Sequence, residues 1–268
     1  MSRLALEGLG PVEIALWRAI LAALVAAAIL LALRPSRPRG RQWRELALCA
    51  FGVVFGFPLF TTLAMETVTA AHGAVVVGLL ALGTAIVGSL VGGERPSAAF
   101  WVVAAFGTAL TILFVLRQAG EADGTGLVIG HLYLALAVAT ASVGYAYGGL
   151  AARALPGWSV ACWSLVVSLP VLLVAALFVP PPSTASAPPV LGAFLYLALV
   201  SQLGGFFFWY RGLAMAGIAR ASQVQLLQLF MTLAAAFLLF GERFDGEAVI
   251  FGALVVATVA LGTRLRAR

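Results

Sequence analysis

The sequence has few charged residues, two cysteines and no lysine. Charged residues make up 10% of the 268-residue chain and apolar residues 63%, and the mean hydropathy is +1.08. Because charged residues form about a quarter of a typical soluble domain, this composition excludes a soluble protein and predicts one that lies in a bilayer. Cys49 and Cys162 both fall within apolar stretches, where neither a disulfide nor a metal site is expected.

The sequence also lacks the motifs of membrane-embedded enzymes. It contains no His-Glu-x-x-His, no Gly-x-Ser-x-Gly turn, no phosphate-binding Gly-rich loop with lysine, and no pair of acids within an apolar stretch. We therefore expect neither an enzyme activity nor a bound cofactor.

Nine apolar segments are long enough to cross a membrane. A helix needs roughly 20 residues to cross a hydrocarbon core of about 30 Å, and the backbone groups of such segments are satisfied only within helices. We therefore predict an all-α, polytopic membrane protein with nine transmembrane helices. The predicted segments are Ile14–Leu33, Leu46–Met65, Ala71–Val91, Ala98–Leu116, Leu127–Leu150, Trp158–Val179, Pro189–Tyr210, Gly217–Phe240 and Glu247–Thr263.

The sixteen basic residues, all arginine, are unevenly distributed between the loops. Five lie between Arg34 and Arg44, and alternate crossings place seven more on the same side of the membrane, against three on the other; the sixteenth, Arg18, lies within the first segment. Since the arginine-rich side is normally cytoplasmic, we predict a multi-pass protein of the cell (inner) membrane with a cytoplasmic C-terminus. This distribution explains the isoelectric point near 10.1, and no nucleic-acid partner is expected.

A tripeptide recurs in the two halves of the chain. Gly93-Glu94-Arg95 and Gly241-Glu242-Arg243 each end one apolar segment, and their offset is 242 − 94 = 148. The same offset, without a gap, pairs Gly56 with Gly204 and further positions through three successive segments. This pattern predicts an internal duplication.

The first copy of the repeat begins one helix later than the second. Gly10-Pro11 precedes the first segment as Pro156-Gly157 precedes the sixth, but only the sixth has an earlier segment, Leu127–Leu150, within its half. We therefore predict two repeats, residues 1–118 with four helices and residues 119–268 with five. An odd number of helices in the complete repeat inverts one copy relative to the other.

The chain resembles the drug/metabolite transporter superfamily, in particular EamA-type transporters, whose ten helices form two inverted repeats. The resemblance covers nearly the whole chain. It implies a carrier in which the first helix, one that helps to line the substrate cavity, is absent. It rests on Pro11–Arg18, Ala64–Gly73, the two Gly-Glu-Arg tripeptides, Gly212–Ala214 and Ala219–Ala221.

Polar residues recur at helical spacing in the eighth segment. Ser222, Gln225, Gln228 and Thr232 follow one another at intervals of three and four residues, which places them on one face of a helix. Because carriers with repeated halves bind substrate near the middle of the membrane, we predict that this face binds substrate. The alternative is hydrogen bonding between these side chains and neighbouring helices.

Four more polar residues within apolar segments are predicted to contact substrate. Gln202 lies one turn from Phe206, and an amide beside an aromatic wall suits a small organic molecule. Ser142 and Tyr145 are three residues apart in one segment, and Thr84 is the repeat mate of a residue in the polar face. The aromatic run that follows Phe206 is alternatively a belt at the membrane interface.

These patterns predict a transporter that exports small neutral or zwitterionic metabolites, such as amino acids or their derivatives. Amide and hydroxyl side chains, with no acid in the interior of a segment, favour such cargo over a cation exchanged for a proton. The expected partners are a small-molecule substrate and the lipid bilayer, and a homodimer is compatible with the sequence. The alternatives are a truncated or non-transporting membrane subunit and, less favoured, a membrane-embedded enzyme.

Overall fold

All regular secondary structure in the described part of the chain is helical. The structure, a computed structural model, describes residues 8–65, 70–118, 127–182, 187–228, 230–231 and 246–265. These ranges form nine helical stretches without a strand, which confirms the predicted all-α, polytopic class. The helices are α1 (Pro11–Leu33), α2 (Arg41–Ala50, Phe51–Gly56 and Phe57–Met65), α3 (Ala70–Gly92), α4 (Ala98–Gln118), α5 (Leu127–Ala151), α6 (Gly157–Ala175), α7 (Pro188–Leu195, Tyr196–Gly204 and Gly205–Ala216), α8 (Ile218–Ser222 and Gln223–Leu226) and α9 (Gly246–Arg264).

Five of the described helices are long and apolar enough to cross a membrane. They are Val12–Leu33, Arg41–Thr61, Leu132–Ala151, Gly157–Ala175 and Pro188–Ala216. Shorter apolar stretches on α3, α4 and α9 belong to helices of 23, 21 and 19 residues. Each of the nine predicted segments therefore overlaps a helix of the structure.

Three helix ends differ from the predicted segments by four residues or more, and the largest difference is at α7, which continues to Ala216 instead of ending at Tyr210. The sixth segment was predicted to continue to Val179, but α6 ends at Ala175. The helix ends early because Pro180 and the two prolines after it disfavour a helical backbone, and the Pro180 carbonyl accepts a hydrogen bond of 2.8 Å from Trp17 Nε1. In contrast, α2 starts five residues before Leu46, with a polar first turn.

Two helices contain a wide, π-helical turn. These turns cover Phe51–Gly56 in α2 and Tyr196–Gly204 in α7. Pro58 explains the first, because its missing N–H cannot bond to the carbonyl four residues earlier and the helix must widen there. The two turns end at glycines 204 − 56 = 148 residues apart, the offset of the sequence repeat.

Packing divides the chain into two units. The first unit comprises Met1–Pro58 and Tyr147–Met215, and the second comprises Leu59–Ala146 and Ala216–Arg268. Each unit therefore takes helices from both halves of the sequence. The proposed repeat boundary near residue 118 is a statement about the sequence and stays a prediction.

The core of the first unit forms where α1 packs against α6 and α7. Alanines 22, 23 and 26 are fully buried on α1, and Leu165 and Leu172 of α6 pack in the same cluster. Small side chains at such a contact let two helix backbones approach closely within a bilayer. A second cluster joins α1 to α7 through Ile14, Phe194 and their neighbours.

The core of the second unit joins α3, α4, α8 and α9. Ala81 of α3, Leu226 of α8, and Val255 and Val259 of α9 form one buried cluster. A second cluster brings Phe100 of α4 against α3 and the start of α8. The helix that was predicted to carry the polar face is thus held by three neighbours within one unit.

Candidate functional site

The polar helix α8 begins at a turn that a carboxylate holds in place. Gly217 adopts φ +85°, a left-handed conformation that glycine accepts without steric cost. The next two backbone amides, those of Ile218 and Ala219, donate hydrogen bonds of 2.8 and 2.9 Å to Oε1 and Oε2 of Glu94. Glu94 therefore binds the positive end of the helix and supplies partners for two amides that the helix itself cannot satisfy.

The polar residues of α8 coincide with a change in helix type. Residues Gln223–Leu226 form a 3₁₀ turn, in which side chains three apart lie above one another. Ser222 and Gln225 therefore share a face and both are buried. The Ser222 hydroxyl donates to the Ala219 carbonyl at 2.8 Å, and the Gln223 side chain is buried, with Nε2 donating to Ser222 Oγ at 3.4 Å.

The burial of the predicted face does not continue to Gln228. Gln228 is exposed on its unit, whereas Gln225 is only 6% exposed. Thr232 lies outside the described residues. Whether these residues bind substrate stays a prediction.

Four buried side chains of the second unit have polar atoms without a partner. Among the described residues, no hydrogen-bond partner is found for Thr84 Oγ1, Thr108 Oγ1, Ser142 Oγ, or either the nitrogen or the oxygen of the Gln225 amide. An unpaired buried group costs about 1–3 kcal/mol. We call these four residues the unpaired polar group. Three of them were predicted site residues, and Thr108 was not.

The helices that carry the unpaired polar group pack closely together. A Cβ atom on Gly83, next to Thr84, would lie 2.5 Å from Ser142 Oγ, so any larger residue there would displace the Ser142 hydroxyl at this contact between α3 and α5. A Cβ on Gly107, next to Thr108, would lie 3.1 Å from Leu226 Cδ1 of α8. Glycines therefore stand beside two members of the group and bring α3 to α5, and α4 to α8.

The other predicted residues lie elsewhere or have different surroundings. Gln202 is buried in the first unit, within the π-helical turn of α7. Tyr145 is half-buried near the end of the second unit's part of α5. Tyr210, which the belt interpretation placed at the membrane interface, is instead buried, with its hydroxyl 2.9 Å from Cys49 Sγ.

The unpaired polar group is chemically neutral. Hydroxyls both donate and accept hydrogen bonds, and the Gln225 amide offers two donors and an acceptor on one side chain. Of the acidic side chains on the described helices, Glu13 lies in the first turn of α1, and Glu45 is buried one turn into α2 of the first unit, 3.0 Å from Arg41, while Glu94 is bonded to backbone. Each of these side chains can bind an amide, a hydroxyl or a group of a zwitterion, and none of them supplies a fixed charge.

Sequence reasoning overlooked two residues. Thr108 is a lone hydroxyl in an alanine-rich segment, and only its position beside Gly107 could have drawn attention to it. Glu94 drew attention in the sequence only as a member of the repeated Gly-Glu-Arg tripeptide. Its pairing with the start of α8 depends on packing between segments more than 120 residues apart, which no local pattern reveals.

Comparisons with known proteins agree with this architecture. The sequence model of the EamA-like transporter family matches residues 1–116 and 128–264. The uncharacterized transporter YdeK of Bacillus subtilis (strain 168) is 40% identical over 264 residues, which cover 98% of this chain and 91% of that protein. A crystal structure of a protein with 18% identity superimposes with a TM-score of 0.80, covering 96% of this chain and 90% of the other. The chain is therefore a multi-pass membrane protein that belongs to the EamA-like transporter family.

Proposed function

We propose that this transporter exports small neutral or zwitterionic metabolites, of which amino acids and their derivatives are the first candidates. The observation that carries the proposal is the unpaired polar group, above all Gln225. Its buried amide has neither donor nor acceptor satisfied among the described residues. A bound molecule with complementary groups would offset the cost of burying that amide.

The chemistry of the unpaired polar group favours a neutral or zwitterionic cargo over a permanent cation. A permanent cation would need a carboxylate or an aromatic cage to replace its water, and the described helices of the second unit carry no carboxylate beyond their first turns. A neutral or zwitterionic molecule carries amide, hydroxyl, ammonium and carboxylate groups that pair with hydroxyls and amides. The proposal therefore includes no proton exchange on a buried carboxylate.

We also propose that the protein lies in the cell (inner) membrane with its C-terminus in the cytoplasm. Within the first unit, Arg211 lines the same cavity as Leu33, the residue before Arg34. Within the second unit, Arg220 and Leu265, next to Arg264, line one cavity with Glu94. The distribution of arginine assigns these helix ends to one side of the membrane. They are neighbours within each unit, which supports the proposed cytoplasmic side.

Uptake into inside-out membrane vesicles tests the proposed function. Vesicles containing the protein should accumulate at least one radiolabelled neutral amino acid or derivative, and unlabelled compound should compete. Gln225→Leu should reduce the rate at least tenfold. Val224→Leu is the matched control, because Val224 is the preceding residue, exposed on the opposite side of the same turn, and should leave the rate unchanged.

Two results would contradict the proposal. Accumulation of organic cations alone, with neutral compounds excluded, would refute the predicted cargo. A correctly folded protein that moves no compound from a broad panel of amino acids and nucleosides would favour the alternative of a non-transporting membrane subunit. Nucleosides belong in the panel because they too are neutral and rich in hydrogen-bonding groups.

A further inference from the structure

A second cavity, in the first unit, opens where several helices end. It has a volume of about 600 Å³, within the roughly 300–1,000 Å³ typical of small-molecule sites. Its wall includes Leu33, the last residue of α1, the turn that joins α5 to α6, and Met215 near the end of α7. Because these are helix ends rather than helix centres, the cavity lies at a membrane surface. We call it the surface cavity.

The walls of the surface cavity are apolar and aromatic, with one cation. Trp158, Phe207 and Phe208 line it together with the guanidinium-bearing Arg211. Phe208 is 80% exposed on the unit. Tryptophan, as at Trp158, is enriched where acyl chains meet lipid headgroups. The lining therefore offers an apolar wall for the glycerol and upper acyl region and a positive charge for a phosphate.

The floor of the surface cavity is built by a close helix contact. Gly157 begins α6, and a Cβ atom there would lie 2.7 Å from the backbone nitrogen of Arg211. This approach of α6 to α7 fixes the backbone of Arg211 beside Trp158. The cation and the indole are therefore held by the backbone of two packed helices and not by a loop.

The surroundings of the surface cavity are strongly basic. Arg34 follows Leu33 directly and caps α1 in a left-handed conformation, with φ +43°. Arg153 lies in the turn whose other residues, Ala152 and Leu155, line the cavity. No acidic residue is among the lining residues. The charge of the site is thus complementary to an anion.

We propose that the surface cavity is a binding site for an anionic phospholipid, with its phosphate on Arg211 and its glycerol and acyl carbons against the aromatic wall. Basic pockets between transmembrane helices on the cytoplasmic side are suited to such headgroups. This assignment is independent of the transported substrate. A zwitterionic phospholipid has a compensating ammonium group and gains less from Arg211, which makes the site selective for net negative charge.

Native mass spectrometry of the purified full chain in detergent tests the proposal. The probes are phosphatidylglycerol and phosphatidylcholine with identical palmitoyl-oleoyl chains, titrated separately and as an equimolar mixture. We expect phosphatidylglycerol to bind preferentially. Arg211→Ala should weaken its binding about fivefold, the loss expected for one arginine near a membrane surface, and should abolish the preference. Ala214→Trp, which places an indole in the cavity, should remove the bound lipid altogether.

Arg37→Ala is the matched control. Arg37 lies in the arginine-rich loop after α1 and is exposed, but it does not line the surface cavity, so its removal takes the same charge from the same surface. An equal effect of Arg37→Ala and Arg211→Ala would overturn the proposal in favour of general charge attraction. Equal binding of both lipids, or displacement by glycerol 1-phosphate alone at similar concentration, would overturn it as well. Circular dichroism and a monodisperse elution profile establish that each variant is folded.

Discussion

Replacing Gln225 by leucine should stabilise the protein and abolish transport. Leucine has a similar volume and removes both polar atoms of the amide. Because no described residue bonds to either atom, the variant loses no hydrogen bond within the described part of the chain. It is relieved of the cost of a buried unpaired group, about 1–3 kcal/mol. We therefore expect the free energy of unfolding to rise by about 1 kcal/mol or more.

The alternative interpretation of Gln225 predicts the opposite sign. If its amide formed a hydrogen bond to a neighbouring helix, the leucine variant would have a free energy of unfolding lower by about 0.6–2 kcal/mol. Reversible unfolding in mixed SDS and dodecylmaltoside micelles, followed by circular dichroism, distinguishes a gain from a loss. Val224→Leu reports the effect of added apolar volume on the exposed side of the same turn. A variant that is less stable than the wild type would refute our account of this residue.

Three further predictions concern packing and the start of α8. Glu94→Ala should destabilise the helix start by about 3 kcal/mol. Two charge-assisted hydrogen bonds contribute about 1.5–3 kcal/mol each, and the lower value applies because Glu94 is half-exposed. Hydrogen exchange at the amides of Ile218 and Ala219 should accelerate at least tenfold. Glu94→Gln, which keeps one carbonyl acceptor, should lie between the two, and equal exchange in all three proteins would contradict the capping role. Gly157→Ala should lower the free energy of unfolding by about 2 kcal/mol or more, because the added methyl group meets the backbone of α7. Gly192→Ala, whose methyl group has nothing within 4 Å, should instead raise it by up to about 1 kcal/mol through helix propensity. Unfolding in mixed micelles compares the two variants.

The number and type of the helices could be predicted because each segment carries its own signal. A continuous apolar run of about 20 residues has only one way to satisfy its backbone within hydrocarbon, and this depends on no other segment. Helix ends were harder. Val179 was placed inside the sixth helix because it is apolar, although the three prolines after it already favoured an earlier end at Ala175.

The candidate site could be predicted only in part, because burial on one face depends on the local helix type and on neighbouring helices. Ser222 and Gln225 were correctly placed on a common buried face, but Gln228, beyond the 3₁₀ turn Gln223–Leu226, is exposed on its unit. That turn has no clear sequence signature. Helix α3 also packs closely at Gly88, where a Cβ atom would meet the side chain of Ile218 of α8, and this contact likewise joins segments far apart in the sequence.

Counterflow in proteoliposomes tests the central claim most directly. Vesicles of the purified protein are loaded with an unlabelled neutral amino acid or derivative, and exchange for the labelled compound is followed in the wild type, Gln225→Leu and Val224→Leu. The account predicts exchange in the wild type and Val224→Leu, and at least tenfold slower exchange in a Gln225→Leu protein that unfolds no more easily than the wild type. Full exchange by Gln225→Leu would contradict the claim that the unpaired amide of α8 binds the transported molecule.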